Sequence, residues 1–191
     1  MGFLKRAFDS AVSVLALILL APMFALIALG IWLDDRGPVF YWQIRIGLGG
    51  RRFAILKFRT MRENAEEYLG AVESVPDDPR CTRLGWWLRR YGIDDLPQLW
   101  NILRGDMSIV GPRPERPEFI REFRKKYPHY DIRHHVRGGI LGHAQAHGWR
   151  RDVSVGETLK HDIYYVRNWS LWLDVRILGL SLLRGWSARL G

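Results

Sequence analysis

The stretch "GIDDLPQLWNILRGDMSIVGPRP", residues 92–114, sets two aspartates, Asp94 and Asp95, side by side ahead of a short apolar run. Arginines crowd them: Arg89 and Arg90 come before, Arg104 and Arg113 after. Pro97 suits the first turn of a helix, where a missing N–H costs little, and Gly105 suits its end. The stretch therefore predicts a helix that opens near Asp95. Carboxylates at a helix N-terminus meet unpaired N–H groups and a partial positive charge. They stay ionised there, and nearby arginines lower their pKa further. Two adjacent negative charges repel, so the arginines or a divalent metal must offset them. Mg²⁺ binds through one or two carboxylates plus substrate phosphates. An ionised Asp is also a nucleophile toward phosphorus. Arg113, between two prolines, is held stiffly, as a phosphate clamp needs. The ordinary alternative is that the aspartates only cap the helix.

The 191 residues predict one compact domain plus an appendage, and 48% hydrophobic content is enough for a core. A formal charge of +9 points to an anionic partner: nucleic acid, an anionic bilayer or a phosphorylated substrate. The single cysteine, Cys81, excludes an intrachain disulfide and a Cys-rich metal cluster. Nine tryptophans are many for this length, and Trp favours membrane interfaces.

Residues 11–33, "AVSVLALILLAPMFALIALGIWL", hold no charge. As a straight helix they cover about 35 Å, enough to span a bilayer core. A signal peptide is a poorer fit, because the run is long and no small-residue cleavage site follows. Pro22 favours a bend, and basic residues flank both sides: Lys5 and Arg6 before, most of the +9 after. The positive-inside tendency draws both flanks to the cytoplasmic face. A spanning helix and a re-entrant helix bent at Ala21-Pro22 both remain open on these features.

Beyond a boundary at residues 34–38, two runs rich in β-branched and aromatic residues flank "LGG" and predict a β-hairpin. Lys57 and Arg59 share one face of its second strand. Residues 62–80 read as a short helix and a loop. "RLGWWLRRYG" and "RPEFIREFRKKYP" read as helices, the latter with Phe119, Ile120, Phe123 and Tyr127 on one stripe. "VRGGILGHAQAHGWR" reads as loop with a little strand. The last segment is helical with a break near Asn168, and its Trp169, Trp172 and Trp186 suit either a bilayer surface or the core. The expected class is α+β and predominantly helical. A membrane segment spans residues 1–36, and a domain with a short β-hairpin and amphipathic surface helices spans residues 37–191.

"LKFRTM", "DPRCTRLGWWLRR", "DDLPQLWNILRGDMSIVGPRPERPEF", "GHAQAHGWR" and "HDIYYVRNWSLWLD" occur in this order. Together they resemble the bacterial sugar transferase family, the monotopic phosphoglycosyl transferases of polysaccharide and glycoconjugate assembly. The resemblance covers nearly the whole chain. It implies transfer of a sugar-1-phosphate from a UDP-sugar to polyprenyl (undecaprenyl) phosphate, with release of UMP, at the cytoplasmic face of the bacterial inner membrane. It implies a re-entrant N-terminal helix, inner-membrane lipids around it and Mg²⁺ as cofactor. By the family's motif Asp94 is the nucleophile and Asp95 the Mg²⁺ ligand. Lys57, Arg59, Arg89, Arg113, Pro114, Gln145 and Asp162 match further positions at or near the phosphate site.

Three residues depart from the family's pattern: Asp95 stands for the usual Glu, His143 for Trp, and Ala21-Pro22 for the frequent Ser-Pro. The Asp95 departure keeps an inactive relative open. A non-catalytic, membrane-anchored binder of anionic lipid is another alternative. Nucleic acid is not the expected partner, since a pure polyanion binder would avoid adjacent aspartates. His143 and His147 stand four apart, but a His–metal site is disfavoured in a Gly-flanked segment without a zinc-protease Glu. His134 and His135 read as polar surface. The sequence leaves open which sugar is carried, the oligomeric state (a homodimer is one option) and whether a longer protein contains this chain.

Overall fold

The computed structural model describes residues 2–65, 78–149 and 154–187. Helix α1 (Phe3–Asp34) leads into strands β1 (Phe40–Ile46) and β2 (Arg52–Phe58). Helices α2 (Arg83–Arg90) and α3 (Leu99–Arg104) precede strand β3 (Met107–Val110). Helix α4 (Pro117–Lys126), strand β4 (Gly138–Leu141) and helices α5 (His143–Ala146), α6 (Val155–Arg167) and α7 (Leu171–Ser187) complete the order. The chain is mostly helical, as expected. Most of the predicted helix and loop at residues 62–80 lies outside the described residues.

α1 is a single helix with Pro22 inside it, and the chain stays helical through Ala21 and Pro22. Leu- and Ala-rich flanks propagate the helix, so the one hydrogen bond that proline removes is a local loss. The helix is long and apolar enough to cross a membrane. Its faces are inverted relative to a soluble core helix. Lys5, Asp9 and Ser13, four apart along one stripe, are buried against the domain, while Ile18 and Leu19 are 66% and 69% exposed.

Lys5 Nζ lies 2.7 Å from Asp174 Oδ2 on α7 and 3.6 Å from Asp9 Oδ1. Asp9 accepts from Ser108 Oγ at 2.8 Å and from the Ile109 N–H at 3.3 Å. The Arg6 guanidinium donates to the carbonyls of Ile102 and Leu103 in the last turn of α3. Ala16, Leu17 and Leu20 pack on the main core. At the far end Ile31 packs with Phe58 and Leu88, and Arg59 pairs with Asp35 at 3.1 Å. Both ends and the middle of α1 thus touch the same domain.

β1 and β2 form the predicted hairpin, with Tyr41 opposite Lys57. β3 and β4 pair in parallel, which the sequence reading did not anticipate beyond a little strand near β4. Parallel strands need a crossover, and α4 supplies it. Gly111 and Gly139 allow the close approach, because a Cβ on Gly139 would run into the Gly111 backbone. The main core joins Ile55, Ile102, Met107, Val110, Tyr165 and Ile177. The predicted break between α6 and α7 falls at Asn168, the C-cap of α6. Of the tryptophans here, Trp169, just before α7, turns to the core and donates to Asp174 Oδ2 at 3.2 Å, whereas Trp172 on α7 is 75% exposed. The side chain of Trp186 lies outside the described set.

Lys5→Met would leave Asp9 and Asp174 buried without their cation. Removing one partner of a buried pair costs about 3–5 kcal/mol. Thermal unfolding in detergent should show a large drop in midpoint, partly restored by Lys5→Met with Asp174→Asn. An unchanged midpoint would contradict the packing of α1 on α7.

Candidate active site

The aspartate pair sits in a 3₁₀ turn, Ile93–Gln98, and not at the mouth of an α-helix. Gly92, at φ 67°, turns the chain out of α2 into this segment. The α-helix begins only at Leu99 and ends at Gly105, whose φ of 90° suits glycine. Asp94 and Asp95 consequently project from one tight turn onto β2.

Asn101 fixes that contact. Its Oδ1 accepts from the Leu56 N–H at 2.8 Å and its Nδ2 donates to the Ala54 carbonyl at 2.7 Å. A buried Asn on α3 thereby sets the register of β2 and aims Lys57 at the pair. Lys57 Nζ is 2.7 Å from Asp95 Oδ1 and 3.9 Å from Asp94 Oδ2. Arg113 Nη2 reaches the other Asp95 oxygen at 2.7 Å. Gln98 Nε2 also donates to Asp95 Oδ1.

The two carboxylates therefore differ. Burial raises Asp94 to about 6, Asp95 beside it adds to the rise, and Lys57, Arg113 and Arg89 only partly oppose it. Burial also works to raise Asp95, but Arg113 and Lys57 together overcome it and hold that carboxyl well below the usual range. The expectation that both would be held low fails for Asp94, because the nearest cations are spent on its neighbour.

Arg113 is set from behind. Arg133 Nη2 donates to the Arg113 carbonyl at 2.9 Å, and Nη1 donates to Tyr130 Oη at 2.6 Å. Asp162 Oδ2 pairs with Arg133 at 2.7 Å, and Glu115 lies 3.7 Å from it. Burial raises Asp162 to about 6 against the pull of Arg133. Asp162 thus acts through Arg133 on the backbone of Arg113 and makes no direct contact with the pair. Arg45 donates to the Pro114 carbonyl at 3.2 Å and steadies the same loop.

Of the other expected residues, Arg89 donates to Cys81 Sγ at 3.1 Å while its charge reaches Asp94. Arg59 is drawn away from the pair to Asp35. Gln145 Oε1 accepts from the Gly142 N–H at 2.9 Å and so closes the first turn of α5. His134 is buried and pairs with Asp131 at 3.1 Å, so it is not the polar surface expected; His135 is exposed. Sequence reasoning missed Gln98, Asn101, Tyr130 and Arg133. The available signal was polar side chains at inward positions of otherwise apolar turns, as in "QLWNIL".

The donor types suit Mg²⁺: carboxylate and amide oxygens are hard ligands, and Gln98 Oε1 is buried with no hydrogen-bond partner among the described residues, while a metal at Asp95 would have to share its oxygens with Lys57 and Arg113.

This is a buried carboxylate pair ringed by cations, in a domain that carries an outward-facing apolar helix: the outline of an anion-handling protein at a membrane. The chain belongs to the bacterial sugar transferase family, whose pattern matches residues 1–186. It is 44% identical over 190 residues to the undecaprenyl-phosphate glucose phosphotransferase of Komagataeibacter xylinus, covering 94% of this chain and 35% of that protein. It is 43% identical over 193 residues to the UDP-N-acetylgalactosamine-undecaprenyl-phosphate N-acetylgalactosaminephosphotransferase of Aeromonas hydrophila, covering 98% of this chain and 45% of that protein. It is 41% identical to the exopolysaccharide production protein PSS of Rhizobium leguminosarum bv. phaseoli, covering 92% of this chain and 91% of that protein. The chain thus spans less than half of the first two relatives.

A carboxyl raised on folding destabilises the fold once it ionises. The penalty of Asp94 is absent below the unfolded pKa near 4 and complete above about 6. Asp94→Asn should stabilise the protein by about 2–3 kcal/mol at pH 8 and by almost nothing at pH 4. Chemical denaturation at the two pH values checks this, and equal effects at both would contradict it.

Proposed function

We propose that this chain transfers a sugar-1-phosphate from a UDP-sugar to polyprenyl (undecaprenyl) phosphate through a phosphosugar-aspartyl intermediate on Asp94. The observation that carries this reading is the unequal pair. Asp95 is engaged by two cations at 2.7 Å, while among the described residues Asp94 has only a 3.9 Å approach from Lys57. A carboxylate raised in pKa is more basic, and once ionised it is the better nucleophile.

In the first step an Asp94 oxygen attacks the sugar-bearing phosphorus. The bridging P–O bond breaks, and UMP leaves with its electron pair. In the second step an oxygen of the polyprenyl phosphate attacks the same phosphorus and the Asp94 carboxylate departs. Both displacements occur at phosphorus, so the glycosidic C–O bond is untouched. Lys57, Arg113 and Arg89 offset the negative charge that grows on the phosphates. Mg²⁺, held through Asp95 with Gln98 Oε1 nearby, would neutralise pyrophosphate oxygens as a Lewis acid. Arg133 and Asp162 hold Arg113 in position. The names of the relatives support donor and acceptor. They differ in the sugar named, so the proposal stops at the class UDP-sugar.

The inverted α1 supports a seat in the bacterial inner membrane at its cytoplasmic face, where the acceptor's lipid tail resides. Trp42, Trp172 and Leu182 are further exposed apolar side chains. Ties from both ends of α1 to one domain support a monotopic, re-entrant arrangement over a crossing helix.

Incubation with radiolabelled UDP-sugar in the absence of acceptor should leave label on the denatured wild-type protein and none on Asp94→Asn. An active protein that never retains label in a single turnover would sink the covalent route. For topology, Phe3→Cys and Asp34→Cys in a Cys81→Ala background should both react with a membrane-impermeant maleimide from the cytoplasmic side. Labelling of the two positions from opposite sides would show a crossing helix instead.

A further inference from the structure

Away from the aspartate pair, three histidines converge. His143 opens α5, His147 is its C-cap, and His161 comes from α6. The ring centroids lie 4.3 Å (His143–His147), 4.9 Å (His143–His161) and 5.1 Å (His147–His161) apart. One nitrogen of each falls within 4.8 Å of the others. The sequence reading weighed only His143 and His147 and set a metal aside. It lacked the third ligand, which the packing of α6 on α5 supplies.

We infer that His143, His147 and His161 form a binding site for a divalent metal ion that favours imidazole, of the Zn²⁺ class. Zn–N bonds of about 2.0–2.1 Å in a tetrahedral site put ligand nitrogens about 3.3 Å apart. One pair, His161 Nδ1 and His143 Nδ1, is already at 3.0 Å. His147 Nδ1 faces the His143 carbonyl at 2.8 Å. Such a bond fixes the tautomer and turns Nε2 outward as the ligand atom.

The cluster forms one wall of a cleft of about 390 Å³, lined also by Glu157, Lys160, Tyr164 and Arg176. Lys160 is paired with Glu157 at 2.6 Å. Arg176 opposes a bare dication, so the fourth position suits hydroxide or an anionic ligand from the cleft. A metal here would clamp α5, which carries Gln145, to α6, which carries Asp162. The site is separate from the aspartate pair and does not depend on the proposed transfer.

The test is titration of the purified chain, in nanodiscs with Mg²⁺ present, by Co²⁺ as a visible probe for Zn²⁺. One Co²⁺ per chain should bind with the strong absorption of a four-coordinate site, and Zn²⁺ should displace it and raise the unfolding temperature. His147→Asn and His161→Gln should each weaken binding about a hundredfold. Asp95→Asn should leave it unchanged, which separates this site from the catalytic one. Absence of the absorption in the wild type, or equal affinity in the wild type and both histidine variants, overturns the inference.

Discussion

Asp95 is gripped from both sides, by Lys57 from a strand and by Arg113 from a proline-bounded loop, at 2.7 Å each. This grip holds β2, the 3₁₀ turn and the loop after β3 together at one point. It also decides the state of Asp94. With the cations engaged next door, Asp94 bears the cost of burial and the repulsion of its neighbour, and its proton is held to about pH 6. The supporting groups follow from the need to hold Arg113: Arg133 takes its carbonyl, and Asp162 and Tyr130 hold Arg133. A site that keeps one carboxylate satisfied and leaves another strained by burial and repulsion gives up stability, as functional sites commonly do.

The second organising constraint is solvent. The first turns of α1 bury Lys5, Asp9 and Ser13 while Leu15, Ile18 and Leu19 face outward, an arrangement suited to lipid rather than water on the outer side. Its buried polar stripe is coherent, because Lys5, Asp9 and Ser13 meet Asp174 and Ser108 rather than each other alone. The helix is long and apolar enough to cross a membrane and also forms one wall of the domain. That arrangement ties α1 to the same domain that carries the aspartate pair.

Much of this was legible in the sequence. The apolar run, the hairpin around "LGG", the stop at Gly105 and the break at Asn168 each rest on local chemistry, and local chemistry is what a sequence displays. The aspartates stood out because adjacent like charges need a reason. The remainder depended on long-range packing. Nothing near Arg59 announces that Asp35 will claim it, and nothing near His134 announces its burial. The parallel pairing of β3 with β4 joins segments far apart in the chain. The 3₁₀ turn defeated the helix-mouth reading because Gly92 and Pro97 tighten the backbone before α3 begins. His161 was invisible as a partner of His143 until two helices were laid together.

The central claim is the division between the two carboxylates. The direct measurement is a titration of metal-free protein labelled with ¹³C at the aspartate carboxyls and followed by NMR. The account predicts one resonance titrating near pH 6 that vanishes in Asp94→Asn, and another, lost in Asp95→Asn, that stays ionised throughout the accessible acid range. Two resonances that both titrate near the ordinary value of about 4 would contradict it.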